Sequence, residues 1–174
     1  MDNEEYKLLN PDYFEIEKQD LVLESINPKK YRTHKDPWNT NYNSVDNFIL
    51  AQYSKMKLTN MIEKNQINFD YIMFLRPDVE YLHPLEHSFF NNVVEKKISI
   101  PNFHLYGTDV PPFNDRFAIT NQETYKIYGK VFHELFEISK KKPLHSETVL
   151  SEYLTQNDIK YKYILFVFKR IRID

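Results

Sequence analysis

The sequence predicts an α/β fold, a mixed sheet flanked by helices, and three observations predict it. Residues 69–75 (Phe-Asp-Tyr-Ile-Met-Phe-Leu) form a nearly continuous apolar run, as expected of a central strand buried on both faces and covered by helices. Short strand-like runs alternate with stretches of helical periodicity, the order of elements in α/β proteins. The 174 residues are 41% hydrophobic and 16% aromatic, which suits one domain, residues 1–174, with enough apolar bulk to oppose chain entropy.

Residues 13–17 (Tyr-Phe-Glu-Ile-Glu) alternate in polarity and predict a short strand. Residues 20–43 carry Pro28, Pro37, Lys29-Lys30 and several Asn, and predict an irregular, mobile segment. Ser44 offers an N-cap for a helix to Asn65, with Val45, Phe48, Ile49, Tyr53 and Met56 at helical spacing toward the core. After the apolar run, residues 98–100 predict a short strand stopped by Pro101, and residues 101–114 a long loop of the kind that carries function. Residues 116–119 predict a strand. Thr120-x-x-Glu123 then reads as a capping box for a helix to Lys140, its core face being Tyr125, Tyr128, Val131, Phe132, Leu135 and Phe136. Pro143 breaks the chain, and Ser146 predicts the cap of a helix to Asn157 with Val149, Leu150, Tyr153 and Leu154 inward. Residues 160–168 predict a strand, followed by the basic Lys169-Arg170-Ile171-Arg172.

Composition excludes several chemistries. Two glycines cannot supply a Gly-rich phosphate loop of the Rossmann or Walker kind. No cysteine means no disulfide, thiolate zinc site or cysteine nucleophile. A formal charge of −2 gives no general attraction to nucleic acid, so no nucleic-acid partner is expected. The longest apolar run, residues 163–168, is far short of the roughly 20 residues of a membrane span. Met1-Asp2-Asn3-Glu4-Glu5 is acidic and lacks the apolar core of a secretory signal, so a cytoplasmic location is expected. Lysine outnumbers arginine 18 to 5, which singles out each arginine for inspection.

The strongest local signal is Arg76-Pro77-Asp78-Val79-Glu80, directly after the apolar run. In open α/β sheets ligands bind beyond the carboxyl ends of strands. Side chains two apart on extended chain share a face, and Pro77 biases Arg76 toward extended geometry, so Arg76, Asp78 and Glu80 can point one way. Two carboxylates there suit Mg²⁺ or Mn²⁺, which would stabilise a departing diphosphate. The plain alternative is a solvated turn with an Arg–Asp surface pair. In Asn114-Asp115-Arg116-Phe117, Asp115 can bind an acceptor hydroxyl or act as a general base, or simply close a turn with Arg116. In Leu144-His145-Ser146-Glu147, a carboxylate in a first helical turn already has a structural reason. His145 can be a metal ligand, a phosphate partner or an ordinary packed histidine. Arg170 and Arg172 share one face of the last strand and can hold phosphate, or form a basic edge. Pro77-Asp78 with Glu95-Lys96-Lys97 also superficially fits the Pro-Asp…Glu-x-Lys arrangement of a restriction-type nuclease. The fit is poor, because Glu95 precedes its strand and the chain lacks a basic excess.

Residues 69–78, then Asn114-Asp115-Arg116-Phe117-Ala118-Ile119, then His145-Ser146-Glu147-Thr148-Val149-Leu150, occur in the order seen in a group of GT-A-like glycosyltransferases, with members in large DNA viruses and bacterial surface-polysaccharide loci. Asn39-Thr40 and Gln52-Tyr53-Ser54-x-x-Lys57 also resemble that group, and the resemblance spans roughly residues 8–172. It implies a GT-A-like (Rossmann-like) nucleotide-diphosphosugar fold. Arg76-Pro77-Asp78-Val79-Glu80 would stand where GT-A enzymes carry Asp-x-Asp, with Glu80 a departure from the second Asp. The implied metal ligands are Asp78, Glu80 and His145, holding Mn²⁺ or Mg²⁺. The implied donor-binding residues are Arg76, Asp78, Gln52, Tyr53, Arg170 and Arg172, and the implied catalytic residues Asp115 and Glu147. Residues 8–17 resemble the strand that follows an initial strand–helix–strand unit, so the resemblance implies an N-terminally truncated fold. The expected activity is transfer of a sugar from a nucleotide-diphosphate donor to a glycan or other hydroxyl acceptor, in the host cytoplasm if the source is viral. The alternatives are a non-catalytic remnant that binds a glycan or protein and, fitting less well, the nuclease.

Overall fold

The computed structural model describes residues 5–76, 78–107 and 109–171, with backbone only at residues 5 and 6. Pro77 and Arg172, both used in the sequence argument, lie outside the described residues. The fold is mixed α/β. A four-stranded sheet has the order β1-β4-β3-β5, built from β1 (Ile72–Phe74), β3 (Lys97–Pro101), β4 (Ala118–Thr120) and β5 (Lys160–Ile164). β1 and β3 each pair antiparallel with β4, and β3 pairs parallel with β5, so the sheet is mixed. A second, two-stranded sheet joins β2 (Val79–Tyr81) to β6 (Phe168–Arg170) antiparallel.

Alternation along the strands divides the core in two. Ile72, Phe74, Ile98, Ile100 and Ala118 face α2 (Asn43–Lys64), α3 (Tyr125–Gly129), α4 (Leu135–Ser139) and α5 (Ser146–Gln156) in one cluster. Phe117 and Ile119 face the other way and pack with Phe89, Ile164, Phe166 and Phe168. The small sheet therefore closes one face of the main sheet while helices cover the other. Among the described residues no helix is long and apolar enough to cross a membrane.

Several expectations are corrected. The apolar run is not a central strand: β1 is an edge strand of three residues, buried at Ile72 and Phe74 but 38% exposed at Met73. Residues 13–17 form no strand; their Glu15 and Glu17 reach Lys57 of α2. Residues 20–43 are not irregular throughout: they contain most of α1 (Gln19–Ile26) and a 3-10 turn, Pro28–Tyr31, with Ile26 and Tyr31 buried. Residues 160–168 are split between β5 and β6, because residues 165–167 carry the chain from one sheet to the other. Pro101 ends β3 from within the strand.

The caps also differ from expectation. Ser44 lies inside α2; its N–H donates to Thr40 Oγ1 (3.0 Å), and Tyr42 is the N-cap residue. Ser146 likewise opens α5, and His145 caps it by accepting the Thr148 N–H at Nδ1. No capping box forms at Thr120: Asn121 Oδ1 accepts the N–H groups of Glu123 and Thr124. The helix expected to reach Lys140 breaks into α3, a 3-10 turn and α4. The break follows Gly129, where a Cβ would overlap Thr59 Oγ1 of α2, so the chain is pressed against its neighbour.

With so little glycine, left-handed backbone falls mainly to Asn and Asp, including Asn27 (φ 49°), Asn39 and Asn41, the residues that tolerate it best. Tyr42 (φ 65°), Gln66, Glu95 and His104 are the exceptions, and the bulky Tyr42 is a costly one. Buried Asp36 holds it there: its carboxylate accepts N–H bonds from Trp38 (3.0 Å), Thr40 (2.5 Å) and Tyr42 (3.0 Å). The Tyr42 hydroxyl donates to His34 O (2.9 Å).

Candidate functional site

The carboxyl end of β1, the end of the 101–114 loop and the start of α5 meet beside α2. Arg76 leaves β1 and grips Asp78 in a two-pronged bond, Nε to Oδ1 (2.8 Å) and Nη2 to Oδ2 (2.7 Å). Arg170 of β6 adds Nε to Asp78 Oδ2 at 3.2 Å. The Arg76 bond, aided by the Arg170 charge, holds the Asp78 carboxyl below its usual range despite partial burial. The Arg–Asp pair anticipated as the plain alternative is thus present, and it sits at the mouth of a groove. Glu80 is paired separately, with Lys169 opposite it in the small sheet (2.8 Å).

Asp115 is placed by Asn114, which is buried. Asn114 Nδ2 donates to Phe103 O (2.7 Å) and its Oδ1 accepts the Arg116 N–H (3.0 Å), which turns the loop back toward the sheet. Lys55 reaches it from α2, donating to Asp115 O (3.2 Å) and to the Tyr128 hydroxyl (3.0 Å). Burial lowers the Lys55 ammonium to about 8; nearby Arg76 adds to this and Asp115 opposes it. Burial also pushes the Tyr128 hydroxyl well up.

Glu147 is 3% exposed in the first turn of α5 and accepts a bond from Ser146 Oγ. Burial raises its pKa, and the Asp115 charge raises it further. His145 Nδ1 lies 3.7 Å from Glu147 Oε2. Burial lowers the His145 pKa against the pull of Asp115. Trp38 stacks on the His145 ring, centroids 4.3 Å apart and planes 23° apart, and Tyr106 meets Trp38 edge-on. The Asp36 turn therefore braces His145 through Trp38.

Asp115 is the hub. Its charge is felt by Lys55, Arg76, Tyr128, His145 and Glu147, from α2, the end of β1, α3 and the start of α5. Arg116 and Arg170 join Lys55, Arg76, Asp78 and Asp115 in lining a groove of about 750 Å³. Its lining holds four cations and three carboxylates, Asp12 being the third, so one positive charge is in excess, a setting that admits an anionic ligand.

Of the residues singled out in the sequence, the structure brings together Arg76, Asp78, Asp115, His145, Glu147 and Arg170. Gln52 is elsewhere, fully buried on the inner face of α2 with neither amide atom hydrogen-bonded among the described residues. Tyr53, one residue on and so about 100° around the helix, donates to Glu17 (2.9 Å) and packs on Phe132. Glu80 faces Lys169. The donor set does not fit a divalent cation as arranged: Asp78 is committed to two arginines and Glu80 to a lysine. Among the described residues no three His, Asp or Glu side chains converge as a metal site would require. The nuclease arrangement is not assembled either. β1 and β3 run parallel to one another through β4, so Asp78 beyond the end of β1 and Glu95 before the start of β3 lie at opposite ends of the sheet.

Lys55, Tyr128 and Trp38 are candidate site residues that sequence pattern does not single out for that role. Lys55 carried a signal: it lies three residues after Gln52 and four before Thr59, both fully buried, so it borders the inward stripe of α2. The chain matches no protein-family model, no curated protein and no solved structure.

Proposed function

We propose that this chain is a GT-A-like transferase domain that moves a sugar from a nucleotide-diphosphate donor to a hydroxyl acceptor. One observation carries the reading. Of the three separated segments on which the resemblance rests, Arg76-Asp78 and Asp115 line one groove at a strand's carboxyl end, and His145-Glu147 lies within reach of the Asp115 charge. In this reading Arg76, Arg170 and Lys55 receive the negative charge of the departing diphosphate. Asp115 orients the acceptor hydroxyl. Glu147, whose carboxyl readily holds a proton, takes the acceptor's proton as the sugar–phosphate bond breaks and the new glycosidic bond forms. No step is assigned to Mn²⁺ or Mg²⁺, because Arg76 and Arg170 occupy the carboxylate that would hold it.

Thermal melting with a panel of UDP-, GDP- and CMP-sugars tests this, in chelator and in Mn²⁺. A donor at a hundredfold its Kd adds about 2.7 kcal/mol, or about 5–10 °C for a chain of this size. At least one donor is expected to raise Tm, and Arg170→Ala to abolish the rise. No rise with any donor, while the protein is folded, refutes the reading. A second reading, a non-catalytic module that binds a glycan, is favoured by the closed Arg76–Asp78–Arg170 cluster. Binding of oligosaccharide without donor hydrolysis or transfer would select it.

A further inference from the structure

Among the described residues the main sheet has two edges with no further strand paired to them, and they are built differently. β5 forms one edge and carries Lys160 and Lys162, both exposed. Lysines on an edge strand disfavour pairing with another chain. β1 forms the other edge, and residues 71–75 (Tyr-Ile-Met-Phe-Leu) hold no charge at all. Tyr71, Met73 and Leu75 are 40%, 38% and 53% exposed. The apolar length of the groove runs along this edge, with Leu58, Met61 and Ile62 of α2 as its far wall. An uncharged edge strand beside an open apolar groove is a template for one more strand.

The order of residues names the occupant. In an antiparallel pairing of this segment with itself, centred on Met73, Met73 meets Met73, Ile72 meets Phe74, Tyr71 meets Leu75, and Asp70 meets Arg76. Every interior pair is apolar and the flanking pair is of opposite charge. Alternation is kept as well: Ile72 and Phe74 lie on the helix-covered face in both copies, and Tyr71, Met73 and Leu75 on the other. We propose that β1 pairs with β1 of a second copy of this chain about a two-fold axis at Met73, joining two four-stranded sheets into one. The two α2 helices then lie on the same face of the joined sheet, with exposed Leu58 toward the seam. Asp70 of the second copy comes beside Arg76, at the rim of the charged mouth. The proposal does not rest on the proposed transferase activity, because its readouts are mass and cross-linking.

Light scattering of the purified chain at about 50 μM is expected to give twice the 21.1 kDa chain mass. A monomer at that concentration overturns the proposal. Because the chain has no cysteine, Met73→Cys supplies a single thiol at the axis. Directly opposed antiparallel residues have Cα atoms about 4.5–5.5 Å apart, within disulfide reach. Mild oxidation is expected to link Met73→Cys into a covalent dimer and to leave Leu165→Cys, 60% exposed after the opposite edge strand, unlinked. Equal linking of both, or none at position 73, overturns it. Met73→Lys, at a partly exposed position, is expected to give a folded monomer, and a dimer that survives it places the interface elsewhere and overturns the proposal. Asp70→Arg is expected to weaken the dimer at least tenfold, and Asp70→Arg with Arg76→Asp to restore it.

Discussion

Lys55→Met isolates the cost of keeping an ammonium inside the protein. Met fills the same stem but cannot titrate. In the folded chain Lys55 loses its proton near pH 8, whereas in the unfolded chain it does so near 10.4. Between those values the unfolded state binds more protons, so wild-type stability rises with pH across the window. The benefit is complete only above the unfolded value and is lost as pH falls through the folded one. Linkage gives a gain of about 1 kcal/mol from pH 7 to pH 9 and about 2–3 kcal/mol by pH 10. Tyrosines with raised values, such as Tyr161 and Tyr163, work the other way as the unfolded chain ionises, but they do so equally in both proteins. The quantity to measure is therefore the difference in urea unfolding free energy, wild type minus Lys55→Met, at several pH values. It should move in favour of wild type by that amount as pH rises. At neutral pH the variant also leaves Asp115 O and the Tyr128 hydroxyl without their donor, a loss of about 1–3 kcal/mol for each group that stays dry. A difference that is flat in pH refutes the burial of a chargeable amine beside Asp115.

Two further predictions concern the brace behind the site. Trp38→Ala removes the ring stacked on His145 and admits water, so the lowered His145 pKa should climb toward 6.5 in an NMR titration of its ring protons; an unmoved value would show that Trp38 does not shield it. Asp36→Ala leaves the N–H groups of Trp38, Thr40 and Tyr42 without their acceptor, which should cost about 2–4 kcal/mol in urea unfolding at pH 7. Burial raises the Asp36 carboxyl, but those hydrogen bonds outweigh it and hold it below the usual value. The wild-type advantage should therefore be intact above about pH 4 and shrink as pH falls through the lower folded value; an advantage unchanged in acid would refute the account.

What was legible in the sequence had a period. α2 shows its core face as Val45, Phe48, Ile49 and Met56, and those side chains are buried. α5 does the same with Val149, Leu150 and Leu154. The run at 69–75 was misplaced because an apolar side chain reports only that it avoids water, not what covers it. Ile72 and Phe74 are covered by helices, whereas Tyr71 and Met73 look outward from an edge. The break after Gly129 arises from contact with Thr59, 70 residues away in sequence, and a lone glycine in a helical pattern was its only local trace. Arg76, Asp115 and Glu147, candidates from the sequence, lie at element ends, because strand ends and helix starts are where backbone geometry collects polar groups. Candidate residues inside α2 were not legible, since neighbours 100° apart cannot serve one site and periodicity does not say which neighbour faces it.

One consequence joins the two halves of the molecule. β1 supplies both the uncharged edge and, at its carboxyl end, Arg76. The guanidinium of Arg76 is shared among Asp78, the field of Asp115 and, in a paired dimer, Asp70 of the second copy. Pairing of the edge adds a carboxylate to the mouth, and an anionic ligand competes for the same cation. Self-association and anion binding are then linked equilibria with opposite sign, and linkage requires the effect to be reciprocal. An anion that binds the mouth should weaken the dimer by the same factor by which dimerisation weakens the anion. Asp70→Asn, which leaves the apolar seam intact, should reduce that factor toward one.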